Sequence, residues 1–257
     1  MGKTAPNVNN LSLGRGELLF NKLEDEVHQG EKSLGNAPEI SVTPEMEELE
    51  HVSSLEGLNK VDVKIVTSLK IIVAATLEEF NQDNIEMIFL GEKTTVSQTS
   101  GSVADEEHTV KEFDAYYKLD KRYVSSVVVT DETGVTTYTE DDDYTVDARI
   151  GRVFIKEGGS GGIAADDVLK ISYDYGDLEL PAVKLAEETK VEGSLRFLGD
   201  PAYGPELELY IPKVSIMADG EMPLISTEWA SVGIRAEALI ETDTEIFMYD
   251  HTDVSYA

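Results

Sequence analysis

The stretch that most constrains this chain is VDVKIVTSLKIIVAAT, residues 61–76. Val61, Val63, Ile65, Thr67, Leu69, Ile71, Val73 and Ala75 share one parity, while Asp62, Lys64, Ser68 and Lys70 take the other. Alternation at period two over such a length does not fit a helix. It describes a long strand, or a bent pair of strands, with one buried face. Strands need partners, and the chain offers several. ELLFNKL (17–23) and EISVT (39–43) precede it, and EGSLRFLG (192–199), ELELYIPKVSIM (206–217) and WASVGIRAEALI (229–240) follow far downstream. Pro212 interrupts the fourth of these, which marks an edge strand, a bulge or two strands joined at a bend.

One helix is well marked. Asn81 stands as its N-cap, Asp83 in its positive first turn and Gly91 just past its end. Phe80 and Ile85 fall at the N′ and N4 positions of a hydrophobic staple, and Ile85, Ile88 and Phe89 supply an apolar face. An earlier start, with Thr76 and Glu79 as a capping box, is the alternative. Residues 94–109 are rich in Thr, Ser and Gly and read as a linker. Compact strands then follow at YVSSVVVT (123–130), VTTYT (135–139), RVFIK (152–156) and VLKISYDY (168–175), divided by the turn signals DETG and EGGSGG. They read as a small all-β module with its own core.

Between EISVT and the long strand lies an acidic segment, 44–60, read as a loop. From residue 33 to 59 the chain holds six carboxylates and no Lys or Arg. The whole chain, 257 residues, carries 51 acids against 21 bases, a formal net charge of −30. A protein that grips nucleic acid through its phosphates needs the opposite sign. The bland readings are solubility and a halophilic origin, although Lys outnumbers Arg fifteen to six. With 41% hydrophobic residues the chain builds a real core, and IIVAATL (71–77), its longest apolar run, is too short to span a bilayer. MGKTAPNVNN lacks the pattern of a signal peptide, and the absence of cysteine excludes disulfides and thiolate chemistry. An intracellular origin is the expectation.

Catalytic signatures are weak. GGSGG (158–162) matches a nucleophile elbow around Ser160, and Gly159, Gly161 and Ala164 have dinucleotide-fingerprint spacing. Both patterns need a helix next, and ADDVLKISYDY returns to a strand. EDDDYTVD (140–147) has carboxylates for a hard cation but neither the glycine nor the final glutamate of an EF-hand loop. His28, His51, His108 and His251 show no ligand spacing. Trp229 and the eleven tyrosines read as core and cross-strand partners. No metal, cofactor or catalytic residue is assigned.

Four ordered pieces carry a resemblance: LSLGRGELLF (11–20), SLGNAPEISVTPEMEELEHVSSLEG (33–57), QDNIEMIFLGE (82–92) and the long segment from EGSLRFLGDPAYG to ASVGIRAEAL (192–239). Together they resemble the major tail tube proteins of long-tailed (siphovirus-type) bacteriophages, over nearly the whole chain. The strength lies in order and spacing. The resemblance implies a mainly β fold, a tail-tube-like β-sandwich or barrel sheet with one short packed α-helix, interrupted by an inserted β-sandwich-like module. The expected divisions are an N-terminal arm (1–16), the tube domain in two parts (17–109 and 179–241), the insertion (110–178) and a C-terminal arm (242–257).

The implied function is structural. Such subunits form hexameric rings that stack into a tube in the virion tail, assembled in the host bacterial cytoplasm. The tube grows around a tape-measure protein between baseplate and terminator proteins, and double-stranded DNA passes through its bore without specific binding. Residues 44–60 would be the inter-ring loop, with Glu45, Met46, Glu47, Glu48, Leu49, Glu50, Val52, Leu55 and Leu58 at the contact. Its carboxylates would stay wet or meet Lys64, Lys70 or Arg196. Glu206, Glu208, Glu237 and Glu241 are candidates for an acidic lumen. The alternative is a soluble β-sandwich binding or adhesion module using the insertion. A secretion-tube relative and a hydrolase using Ser160 rank below it.

Overall fold

The computed structural model describes residues 11–53, 60–239 and 245–252. The protein is mainly β, with one α-helix. In chain order the first elements are β1 (Gly16–Glu24), β2 (Val27–His28), β3 (Lys32–Ser33), β4 (Glu39–Ser53), β5 (Lys60–Leu77) and α1 (Gln82–Ile88). Next come β6 (Glu92–Gln98), β7 (Gly101–Thr109), β8 (Ala115–Lys118), β9 (Val124–Asp131), β10 (Tyr144–Asp147), β11 (Arg152–Ile155), β12 (Val168–Tyr175) and β13 (Leu178–Lys184). The last are β14 (Val191–Gly199), β15 (Leu207–Ala218), β16 (Val232–Ala238) and β17 (Phe247–Asp250). The chain divides into two compact units, Met1–Lys93 with Val183–Ala257, and Thr94–Ala182.

The first unit is a nine-stranded sheet in the order β2-β1-β14-β15-β16-β5-β4, with β3 beside β1 and β17 beside β15. Every pairing is antiparallel. One face is apolar: Leu18, Phe20, Leu195, Ile211, Ile216, Ile234, Val73 and Leu77 are buried in a single cluster, to which α1 adds Met87 and Ile88. Each such side chain contributes about 1.5–3 kcal/mol through burial.

The helix starts where its cap predicts. Asn81 accepts a hydrogen bond from the Asn84 backbone N–H at 2.9 Å, and Asp83 lies in the first turn. Phe80 packs against the core cluster. The buried side of the helix, however, is Asn84, Glu86, Met87 and Ile88, whereas Ile85 is half-buried. The C-terminal turn is also different from the expectation. Leu90, rather than Gly91, takes the positive φ of 49°. Gly91 is needed for close approach, because a Cβ there would lie 2.5 Å from the Lys184 carbonyl oxygen.

Pro212 is explained by the pairing of β15. Leu207–Tyr210 is flanked by β17 and Val214–Ala218 by β16, so the missing N–H falls where one edge partner gives way to the other. A bulge against β14 sits at the same place.

Three expectations are corrected. Residues 44–60 are not a loop up to Ser53: β4 continues through Pro44 to Ser53, paired with β5 along its length. Pro44 is tolerated because β4 is the edge of the sheet and has no partner on its other side. Nor does the 61–76 alternation bury one face throughout. Register shifts opposite Glu47/Glu48 and His51/Val52 leave Thr67 and Asp62 as extra residues of β5, and each turns the following side chains over. The 94–109 linker is a third correction, since it forms most of β6 and all of β7.

The second unit holds two three-stranded sheets, β10-β11-β8 and β7-β12-β9, and β6 pairs with β13 as a separate ribbon. Val110, Leu119, Val129, Tyr144, Val153, Ile155, Leu169, Ile171 and Tyr173 share its core. VTTYT makes only an isolated bridge, Thr130↔Thr137, while the acidic stretch supplies β10. Tyr144 and Val146 face inward there, and Asp141, Asp142 and Asp143 form the turn that precedes the strand.

Candidate assembly surface

Strand β16 pairs with β5 only from Ile72 to Leu77. The remaining residues of β5, 60–71, run on with β4 as a two-stranded ribbon, which at ~3.3 Å per residue projects about 40 Å. Pairing fixes its two faces, because residues directly opposite point the same way. Met46 lies opposite Leu69, Glu48 opposite Val66, Glu50 opposite Lys64 and Val52 opposite Val61. The other face carries Glu45 with Lys70, Glu47 with Ser68, Leu49 with Ile65 and His51 with Val63.

These apolar pairs are in the open. Leu49 is 64% exposed, Met46 61% and Ile65 57%, and Val52, Val61, Val63, Val66 and Leu69 are also exposed. A two-stranded ribbon with both faces wet is marginal by itself, and an exposed edge strand offers its free backbone groups to another chain. Leu55 and Leu58, the other apolar residues expected here, lie outside the described residues.

Several carboxylates of the ribbon have partners within the chain. Lys64 Nζ is 2.5 Å from Glu50 and 3.3 Å from Glu48, Arg235 Nη2 is 3.2 Å from Glu45, and His51 Nδ1 is 2.6 Å from Asp62. Hydrogen bonds to Glu50 and Glu48 raise the Lys64 pKa above its ordinary value. Glu47 makes no ion pair among the described residues. Lys70 goes elsewhere, to Glu237 at 2.7 Å, and that bond raises its pKa.

The sheet face opposite the core is polar. Here Arg196 stacks on the Tyr210 ring, 4.4 Å from its centroid, and binds Glu31 at 2.9 Å and Glu208. His251 Nε2 lies 2.8 Å from the other oxygen of Glu208. Burial opposes ionisation of Glu208, but His251 and Arg196 outweigh it and hold its carboxyl below the usual range. Of the four lumen candidates, then, Glu208 and Glu237 are half-buried and paired. Glu206 is exposed and makes no ion pair among the described residues, and Glu241 lies outside them. Glu17, absent from the candidate set, is also exposed on this face beside Leu198.

The remaining motifs are absorbed structurally. Ser160 donates its hydroxyl to Asp142, and buried Asp143 accepts from the Thr139 and Gly161 backbone N–H groups at 2.8 and 2.7 Å. GGSGG and EDDDYTVD therefore hold each other. A cavity of about 230 Å³ beside α1 contains Lys22, Lys32 and Lys93, but each lysine is engaged by Glu86, Glu24 or Asp83. Among the described residues no group of three His, Cys, Asp or Glu is placed to hold a metal ion, and no helix is long and apolar enough to cross a membrane.

Trp229 contradicts its reading as a core residue, since it is 93% exposed in the loop before β16. That loop, PLISTEW, also exposes Leu224 and Ile225. Its sequence signal was three large apolar side chains in a proline-containing segment without alternation. Comparison with curated proteins gives no match. The family model described as "Protein of unknown function UCP028589" matches residues 11–246, so the chain belongs to that family.

Proposed function

We propose that this protein is a non-enzymatic structural subunit of a bacteriophage tail tube, forming hexameric rings that stack around a channel for DNA. The observation that carries the proposal is the projecting β4–β5 ribbon. It holds exposed apolar pairs on both faces and ends the sheet in a long unpaired edge. A subunit that works alone gains nothing from such an element, whereas burial against a neighbour satisfies both the apolar pairs and the edge. The sheet itself supports the reading further, with a helix-backed apolar face and a polar opposite face fit to line a wet bore. Because Glu208 and Glu237 are tied up in ion pairs, repulsion of DNA in such a bore falls to Glu17 and Glu206. The remaining partners are those the tail tube resemblance supplies: tape-measure, terminator and baseplate proteins.

Leu49→Asp tests the reading. Followed by light scattering over a concentration series, the wild type grows beyond the monomer and the variant does not. Identical growth in both would remove the ribbon from the account.

The second reading, a binding module on the inserted unit, has one observation in its favour. Tyr116 and Phe154 lie side by side with ring centroids 5.0 Å apart. Arg152, held by Asp147 at 2.9 Å, stacks 3.9 Å over the Tyr116 ring and takes up the face a ligand would need. A wild type that stays monomeric at all concentrations would favour this second reading.

A further inference from the structure

The loop between β15 and β16 presents the most exposed apolar group outside the ribbon. Met222 packs against the main core and anchors its base. Beyond Pro223, Leu224 is 86% exposed, Ile225 96% and Trp229 93%. Its position follows from register. Leu77 lies opposite Val232, and the Asp219 N–H donates to the Gly233 carbonyl at 2.8 Å, so the loop leaves the sheet where β5 ends. The ribbon leaves from the other end, beyond the Ile72–Glu237 pair. Along β5 the loop and the ribbon tip are separated by about 55 Å at ~3.3 Å per residue.

We propose that the Leu224–Trp229 loop is the receiving surface for the β4–β5 ribbon of a second copy of this chain. The inference rests on the tube reading and names the contact through which copies join end to end. Two different apolar surfaces at opposite ends of one sheet make a heterologous contact, which propagates instead of closing after the first pair. Leu49, Ile65 and Val63 on one face of the ribbon match Leu224, Ile225 and Trp229 of the loop in number, three exposed apolar side chains each, enough for the apolar centre of an interface of ~800 Å² per partner. Tryptophan is also among the residue types that dominate such contacts.

Charge sets the character of the contact. Glu78 and Glu228 lie beside Trp229, and Asp219 and Glu221 in the same loop; on the ribbon Lys64 holds Glu48 and Glu50 and Arg235 holds Glu45, while Glu47 makes no ion pair among the described residues. Apolar burial therefore works against like-charge repulsion, and salt promotes the contact by screening it. A basic partner protein would show the opposite salt dependence.

The test uses full-length wild type, Trp229→Ser, and the double variant Leu49→Asp/Ile65→Asp, each at low and high salt. Trp229 is the only tryptophan, so wild-type fluorescence reports on this site alone. Light scattering should show salt-promoted growth of the wild type, with Trp229 emission moving to shorter wavelength as it grows. Trp229→Ser alone should need a ~10-fold or higher concentration, the loss expected when a central anchor is removed, and the double variant alone should not grow. An equimolar mixture should join through its one intact pair of surfaces and stop there. If Trp229→Ser grows like the wild type and wild-type emission stays fixed, the inference is overturned while the tube reading stands. If the wild type grows in no condition, the tube reading itself is overturned and the inference with it.

Discussion

Glu86 sits on the buried side of α1, with Lys22 at 2.6 Å and Lys93 at 2.9 Å. Burial opposes its ionisation, but hydrogen bonds and charge from the two lysines outweigh this and lower its pKa below the ordinary 4.5. A carboxyl with a lowered folded-state pKa stabilises the fold above its unfolded value, and that contribution is lost as pH falls through the folded value. Glu86→Gln should therefore cost about 1–3 kcal/mol at neutral pH. The difference from wild type should shrink once the pH drops below 4.5, as thermal melts across pH 3 to 7 would show. In the inserted unit Tyr173 plays a comparable part. Burial and its hydrogen bond to Glu106 push its pKa far up, and Glu106 also accepts from the Asp120 N–H at 3.1 Å and lies 2.8 Å from His108 Nε2. Tyr173→Phe leaves a largely buried carboxylate short of a donor and should cost about 1–3 kcal/mol. An unchanged melting midpoint would show that the Asp120 N–H and His108 satisfy Glu106 without it.

Among the elements, α1 and the β4–β5 ribbon respond to mutation in opposite ways. Asn81→Ala removes a cap and should destabilise the first unit by about 1 kcal/mol without altering assembly. Leu49→Asp on the ribbon should leave the melting midpoint of the monomer near wild type and abolish growth. The two elements also differ in how legible they were. The helix could be read because cap, charged first turn and apolar spacing agree within a few residues. The distal half of β4 could not, because PEMEELE carries a proline and four glutamates and shows no alternation. Its strand conformation comes from backbone pairing with β5, which sequence pattern does not encode. The same holds for GSVADEEHT, which pairs with one side of β12 as β7. The parity of residues 61–75 was legible, but the bulges at Thr67 and Asp62 that distribute it over two faces were not. Trp229 misled because the nearby VGIRAEA does form a strand, and only the register of β16 places the tryptophan beyond the sheet.

At the scale of the whole molecule the net charge of −30 and the exposed apolar ribbon pull against each other. On the proposed reading, charge keeps copies apart and burial of the ribbon draws them together once salt screens the charge. Glu206→Gln with Glu17→Gln should leave assembly intact while slowing passage of DNA through a finished tube, measured as ejection kinetics from virions carrying the variant. Ejection at the wild-type rate would reduce the charge to a solubility role. The most direct measurement is negative-stain electron microscopy of the purified full-length protein across a concentration and salt series. If the protein is a tube subunit, six-fold rings and hollow stacks of them should form, more abundant at high salt and absent for Leu49→Asp. Isolated particles of monomer size in every condition would contradict it.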